Sequence, residues 1–349
     1  MLKQKQKEMH HLTKKFIDSK QLSFYETRVK HTKLTRLMDD LTTLLTPHSE
    51  TNIIVITGAP GVGKTTMAKW LSERLNSYYE IESDSDQSAI PVVSIEAYAN
   101  GERKHSFKPI FQDVLIKLYE PGLGKKTYSE TKEDKIVVNH SRRSSIAALR
   151  RLVESALTYR KTKVWIIDEA YHLIRISRDS AILDTLKSIA NTAGTKLVLM
   201  GSFDMLDLVV DHGQVARRTS ILSLERYYLD RPEDRHEFKT IVKALQDRWP
   251  CDQIPNFKNI SDELLEVTFG CVGLLKSLLL EACAMQLHNG GIWNGAFLKK
   301  AAKSNALLQA MRREIEIGET KVREALYGST IWTPETLALL TCRMEQPDA

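Results

Sequence analysis

Apolar positions along the chain change period several times, and each change marks an element. Leu34, Leu37, Met38, Leu41, Leu44 and Leu45 recur at helical spacing, and Pro47 closes that helix. Ile53 to Ile56 is a continuous apolar run, short enough for a buried strand, and Met67, Ala68, Trp70 and Leu71 return to the helical period. Ile90 to Ile95 predicts a second strand, Phe107–Tyr119 a helix, and residues 144–160 another. Further strands are expected at Lys163–Glu169, Leu197–Ser202 and Ser220–Leu224, with helices at 178–192 and Met205–Asp211 between them. Residues 77–89 are acidic and Ser-rich and read as a surface loop; Pro121 to Arg143 is rich in Gly, Lys and Ser. Beyond Pro232 the pattern is wholly helical, over 233–248, 261–268, 273–287 and 294–316.

Strands alternating with helices call for a parallel sheet covered on both faces. The expected architecture is therefore an α/β domain over 34–230 with a five-stranded parallel sheet, followed by a smaller α-helical domain over 231–316. Residues 1–33 form a polar, basic arm or frayed helix, and 317–349 a tail with scattered apolar positions such as Val322, Leu326 and Trp332. No internal repeat is present.

Composition sharpens this picture only at the ends. The 349 residues are 42% hydrophobic, enough for a substantial core, and carry a formal net charge of +6. Residues 1–36 hold ten Lys/Arg against three acids, so the arm suits contact with DNA or a partner protein as well as simple solubilisation. Four cysteines without a C-x-x-C pair point to a reducing, cytoplasmic setting rather than a disulfide framework. No signal-peptide core and no membrane-length apolar stretch is evident, so no membrane is expected as a partner.

The chemistry begins at Gly58-Ala59-Pro60-Gly61-Val62-Gly63-Lys64-Thr65-Thr66, a complete G-x-x-x-x-G-K-[ST] loop between a strand and a helix. Its glycines let backbone N–H groups curl around a polyphosphate, and the helix N-terminus adds partial positive charge. Lys64 is expected to reach the β- and γ-phosphates of ATP, and the Thr65 hydroxyl to ligate Mg²⁺. Asp168 and Glu169 end an apolar strand in Walker B order. Parallel strands converge at their C-termini, so Asp168 should meet Thr65 around Mg²⁺ while Glu169 orients the attacking water. Ser202 ends the next strand, either as a sensor of the γ-phosphate or lytic water or as a cap. Arg217 and Arg218 precede the last strand, either as a finger reaching a neighbouring subunit's nucleotide, Arg218 slightly favoured, or as a solvated pair.

Together GAPGVGKTT at 58–66, VWIIDEA at 164–170, LVLMGS at 197–202 and VARRTSILSL at 215–224 resemble the AAA+ ATPase superfamily over residues 34–316. Gly270-Cys271-Val272-Gly273-Leu274-Leu275-Lys276 then opens the helical lid. Within that superfamily the chain looks most like the TnsC/TniB transposition regulators, on weaker features: the helix before the first strand, the strand leading to Gly-Ser, Gln214…Arg217-Arg218, and the G-x-x-G-x-x-K lid entry. The resemblance implies an ATP-dependent regulator that assembles as a ring or helical filament on duplex DNA. It would link a TnsD/TniQ-type target selector to a transposase, with hydrolysis driving disassembly.

Many relatives place a sensor Arg in a G-x-P-R lid pattern; here the fourth position is Gly273, and Lys276 one turn later is the candidate substitute. The departure at Gly273 fits slow, switch-like hydrolysis. AAA+ proteins that track DNA use the region between the second and Walker B strands, which puts Arg103, Lys104, Lys108, Lys125, Lys126 and Thr127 forward as phosphate contacts without sequence preference. Rival readings are an AAA+ motor or loader and a signalling ATPase scaffold without DNA. A metabolic kinase fits poorly, since no acceptor-substrate lid motif accompanies the Asp-Glu pair.

Overall fold

The computed structural model describes residues 19–46, 48–82, 86, 88–97, 107–120, 129–132, 135–138, 145–174, 181–210 and 218–327. In chain order these give α1 (Ser19–Glu26), α2 (Thr32–Leu44), β1 (Ile53–Gly58), α3 (Lys64–Glu82), β2 (Val92–Glu96), α4 (Lys108–Lys117), β3 (Ser129–Lys132), β4 (Lys135–Val138), α5 (Ile146–Tyr159), β5 (Val164–Asp168), α6 (Tyr171–Ile174), α7 (Ala181–Ala193), β6 (Lys196–Gly201), α8 (Met205–Val210) and β7 (Thr219–Leu224). The helical part follows: α9 (Pro232–Gln246), a 3-10 turn (Phe257–Ile260), α10 (Ser261–Val267), α11 (Val272–His288), α12 (Ala296–Ala301) and α13 (Asn305–Tyr327).

Five strands form one parallel sheet in the order β2-β5-β6-β1-β7. Alternate residues feed opposite faces, as the two-residue period of a strand requires. Ile53 and Val55 join Trp165, Ile167 and Leu199 under α4, α5 and α7. Ile54 and Ile56 join Ile166, Val198 and Met200 under α2 and α3. All six residues of β1 are buried, which explains a continuous apolar run instead of an alternating one. The apolar stripe of α2 lands on this second face through Leu34, Leu37, Met38 and Leu41.

The helical region builds a third core around Phe238, Trp249, Phe257, Leu275 and Leu279. Three differences from the sequence reading stand out. The N-terminal segment is anchored there: Phe24 of α1 is 1% exposed and meets the Trp249 ring edge-on at 5.2 Å. His31 caps α2 and hydrogen-bonds the Tyr227 hydroxyl at 2.9 Å; burial, then the charge of Lys33, pushes its imidazole down to about 4, so it is neutral near pH 7. Second, α3 continues to Glu82, through the first part of the expected surface loop, because no Gly or Pro interrupts Ser77–Glu82. Third, the expected helix over 294–316 is two helices, broken at Ala302, and the second runs across the 316/317 boundary to Tyr327. An antiparallel β3–β4 hairpin also lies within the Gly/Lys/Ser-rich stretch. Among the described residues no helix is long and apolar enough to cross a membrane.

Candidate nucleotide site

The parallel register brings the C-terminal ends of β1, β5 and β6 to one edge of the sheet, with the phosphate loop at its centre. The loop folds because Gly61 (φ +73°) and Gly63 (φ +120°) take backbone conformations that other residues resist. Lys64, Thr65 and Thr66 open α3, so its first N–H groups face the loop's hollow. Thr65 is exposed there.

Lys64 is buried, and its Nζ donates to the loop's own carbonyls, Gly58 O at 2.8 Å and Ala59 O at 3.1 Å. Burial lowers its pKa, while the charges of Glu169 and Asp168 oppose that shift. Those two acids therefore lie within electrostatic reach of the ammonium. Asp168, at the end of β5, accepts from the backbone N–H of Glu169 at 2.9 Å. Glu169 itself sits at φ +52°, a left-handed turn that tips its side chain off the strand line. Its carboxyl is raised above the usual range, first by burial and then by the neighbouring Asp168 charge. A carboxylate raised this way suits proton abstraction from water.

Ser202 follows β6, and its carbonyl holds the Thr57 hydroxyl at 3.0 Å. Its own Oγ is buried and has no hydrogen-bond partner among the described residues. A buried hydroxyl left unpaired is costly, and a ligand oxygen reaching it would satisfy it. No group of three or more His, Cys, Asp or Glu among the described residues can hold a metal ion alone. Asp168 and Thr65 fit instead as the protein's share of a Mg²⁺ shell completed by phosphate oxygens and water.

Gly273, where the G-x-P-R pattern of the resemblance has arginine, sits against the phosphate loop. The Gly273 N–H at the start of α11 donates to Gly61 O at 2.7 Å, and a Cβ at Gly273 would lie 2.5 Å from that oxygen. No side chain fits while lid and loop touch this way. Lys276 is turned elsewhere: its Nζ donates to Tyr25 O at 2.6 Å, tying the lid to α1.

Arg218 is exposed and stands at the opposite end of the sheet, its carbonyl accepting from Asn52 N (3.0 Å) and Ile53 N (3.2 Å). The length of β1, about 20 Å at ~3.3 Å per residue, separates it from its own phosphate loop. It cannot reach that loop in cis. Arg217 lies outside the described residues, as do Arg103, Lys104, Lys125, Lys126 and Thr127; Lys108 opens α4.

Residues 47–209 match the family model of the AAA domain. The fold is that of an AAA+ P-loop domain with a helical C-terminal region. The Aeropyrum pernix ORC2 protein, solved as ADPNP-ADP complexes, is 16% identical with a TM-score of 0.55, covering 90% of this chain and 84% of that one. The Aeropyrum pernix ORC1 protein, solved in complex with DNA, is 15% identical with a TM-score of 0.53, covering 86% and 71%. No curated protein matches the sequence.

Part of the candidate site escaped the sequence reading. The last described helix, α13, also approaches it: Ile315 is 2% exposed and packs in the cluster that holds Ala59, Val62 and Phe203. The available signal was Gly318, a lone glycine inside an otherwise helical run. A Cβ there would lie 2.0 Å from the Phe203 ring.

Proposed function

We propose that this chain is a Mg²⁺-dependent ATPase that assembles on duplex DNA and regulates transposition, linking a TnsD/TniQ-type target selector to a transposase. One observation carries the ATPase reading. Lys64, Asp168, Glu169 and the unpaired Ser202 Oγ converge on one edge of the sheet beside a complete phosphate loop.

In this reading Lys64 exchanges its loop carbonyls for β- and γ-phosphate oxygens, and the loop N–H groups hold the polyphosphate. Thr65 and Asp168 hold Mg²⁺, which when bound neutralises charge on the transferring phosphoryl group. Glu169 takes a proton from the attacking water, and Ser202 Oγ donates to the γ-phosphate or to that water. Arg218, too far from its own loop, serves a neighbouring subunit's site. Filling the site stabilises the assembled state by binding linkage, and hydrolysis releases it slowly.

The DNA reading draws support from the shared fold with a protein solved on DNA and from the basic residues between β2 and β5. The transposition reading rests on the sequence resemblance. Electron microscopy with a slowly hydrolysed ATP analogue, with and without duplex DNA, tests both. Rings or filaments on DNA are expected, lost in Lys64→Ala and trapped with ATP in Glu169→Gln. Addition of a TniQ-type selector and a transposase should recruit both to these assemblies. Brisk ATP-driven translocation would favour a motor instead, and nucleotide-dependent assembly indifferent to DNA a signalling scaffold.

A further inference from the structure

The end of the candidate site beside Ser202 is roofed by this chain's own α13. A cavity of about 140 Å³ lies between them, with Ser202, Phe203 and Asp204 on one wall and Glu314, Gly318 and Lys321 on the other. Three contacts seat the helix. Gly318 presses its bare backbone against the Phe203 ring. Glu319 receives a forked pair from Arg226 at 2.7 and 3.1 Å and the Tyr228 hydroxyl at 3.0 Å. Lys321 pairs with Asp207 at 2.9 Å.

The charges around this cavity do not cancel. Asp207 neutralises Lys321, while Asp204 and Glu314 make no ion pair among the described residues. Glu314 is also close enough for its charge to act on Lys64. A diphosphate on the loop ends near Lys64. In the proposed reading, where Ser202 donates to the γ-phosphate, a third phosphate would lie on the side of the one exposed carboxylate that α13 brings to the cavity.

We propose that Glu314 sets a bound triphosphate against the docked α13, so that α13 reads the γ-phosphate and loosens when it arrives. The inference rests on the loop being a nucleotide site. Two like charges separated by part of a solvent-filled cavity repel without forbidding one another, so the helix responds by degrees.

Hydrogen exchange on the full chain, with Mg²⁺ and either ADP or a slowly hydrolysed ATP analogue, tests this. Peptides spanning Glu314–Lys321 should exchange faster with the analogue. In Glu314→Gln the difference should shrink, and analogue affinity should tighten relative to ADP by about 1.4- to fivefold, the range for an exposed charge pair. That gain should fall in high salt. Glu316→Gln, equally exposed on α13 but off the cavity, should leave the ratio unchanged. Equal exchange with both nucleotides, or an equal shift in both variants, overturns the inference while leaving the nucleotide site standing. Failure of the wild-type chain to bind either nucleotide overturns the site, and this inference with it.

Discussion

Replacing Gly273 with alanine tests the contact between lid and phosphate loop. The new Cβ would lie 2.5 Å from Gly61 O, well inside an ordinary carbon–oxygen contact. Restoring that contact requires roughly 0.9 Å of separation, which stretches the 2.7 Å Gly273–Gly61 bond to about 3.6 Å, too long to count as a hydrogen bond. The lost bond costs about 0.5–1.5 kcal/mol. Overpacking against backbone adds about 1–3 kcal/mol, and alanine's better helix propensity returns at most about 1 kcal/mol. The net loss is about 0.5–4.5 kcal/mol, centred near 2.5 kcal/mol, or roughly a seventyfold shift in the lid–loop equilibrium at the centre of that range. Amide exchange at Gly61–Lys64 and the first turn of α11 reads that shift. Gly295→Ala is the control, since nothing lies within 4 Å of its Cβ position; its effect should stay within about 0.5 kcal/mol. Wild-type protection in Gly273→Ala, with an unchanged unfolding midpoint, would refute the reasoning.

Phe24→Ala should cost about 3–5 kcal/mol locally and free α1 from the lid, read as new proteolytic cleavage before Arg28; persistent protection would count against the docked arm. Glu169→Gln should raise apo thermal stability near neutral pH. The folded carboxyl titrates above its unfolded value, so its penalty is absent below the ordinary carboxylate range, grows as pH rises toward the raised value and is complete above it. The stabilisation should vanish near pH 4; a constant difference at all pH values would contradict this cause. DNA affinity should fall steeply as salt rises and be the same on unrelated duplex sequences, whereas a flat salt response in a binding titration would remove the phosphate-contact reading.

Much of the fold was legible because it rests on local signals. The phosphate loop announces itself by spacing, and β1, β5 and β6 by apolar runs that only a doubly covered sheet demands. Element ends were less so: α3 outlasts its apolar stripe, and the expected 294–316 helix contains a break at Ala302 that no Gly or Pro advertises. Contacts between distant segments left the faintest trace. Nothing near Phe24 tells that its partner is Trp249, 225 residues on. Nor does the lid sequence reveal that Gly273 is fixed by the Gly61 carbonyl, which turns a departure from the G-x-P-R pattern into a steric requirement of the closed lid. For Arg218 the residue type suggested a finger, and only the sheet register put it at the far end from its own loop.

In the proposed function, a triphosphate at Lys64 switches the chain into an assembly on DNA. Sedimentation velocity of the full chain with Mg²⁺ and duplexes of increasing length tests this most directly. With a slowly hydrolysed ATP analogue, the complexes should grow with DNA length; with ADP, and in Lys64→Ala, they should not form. Identical sedimentation under all of these conditions would contradict the account.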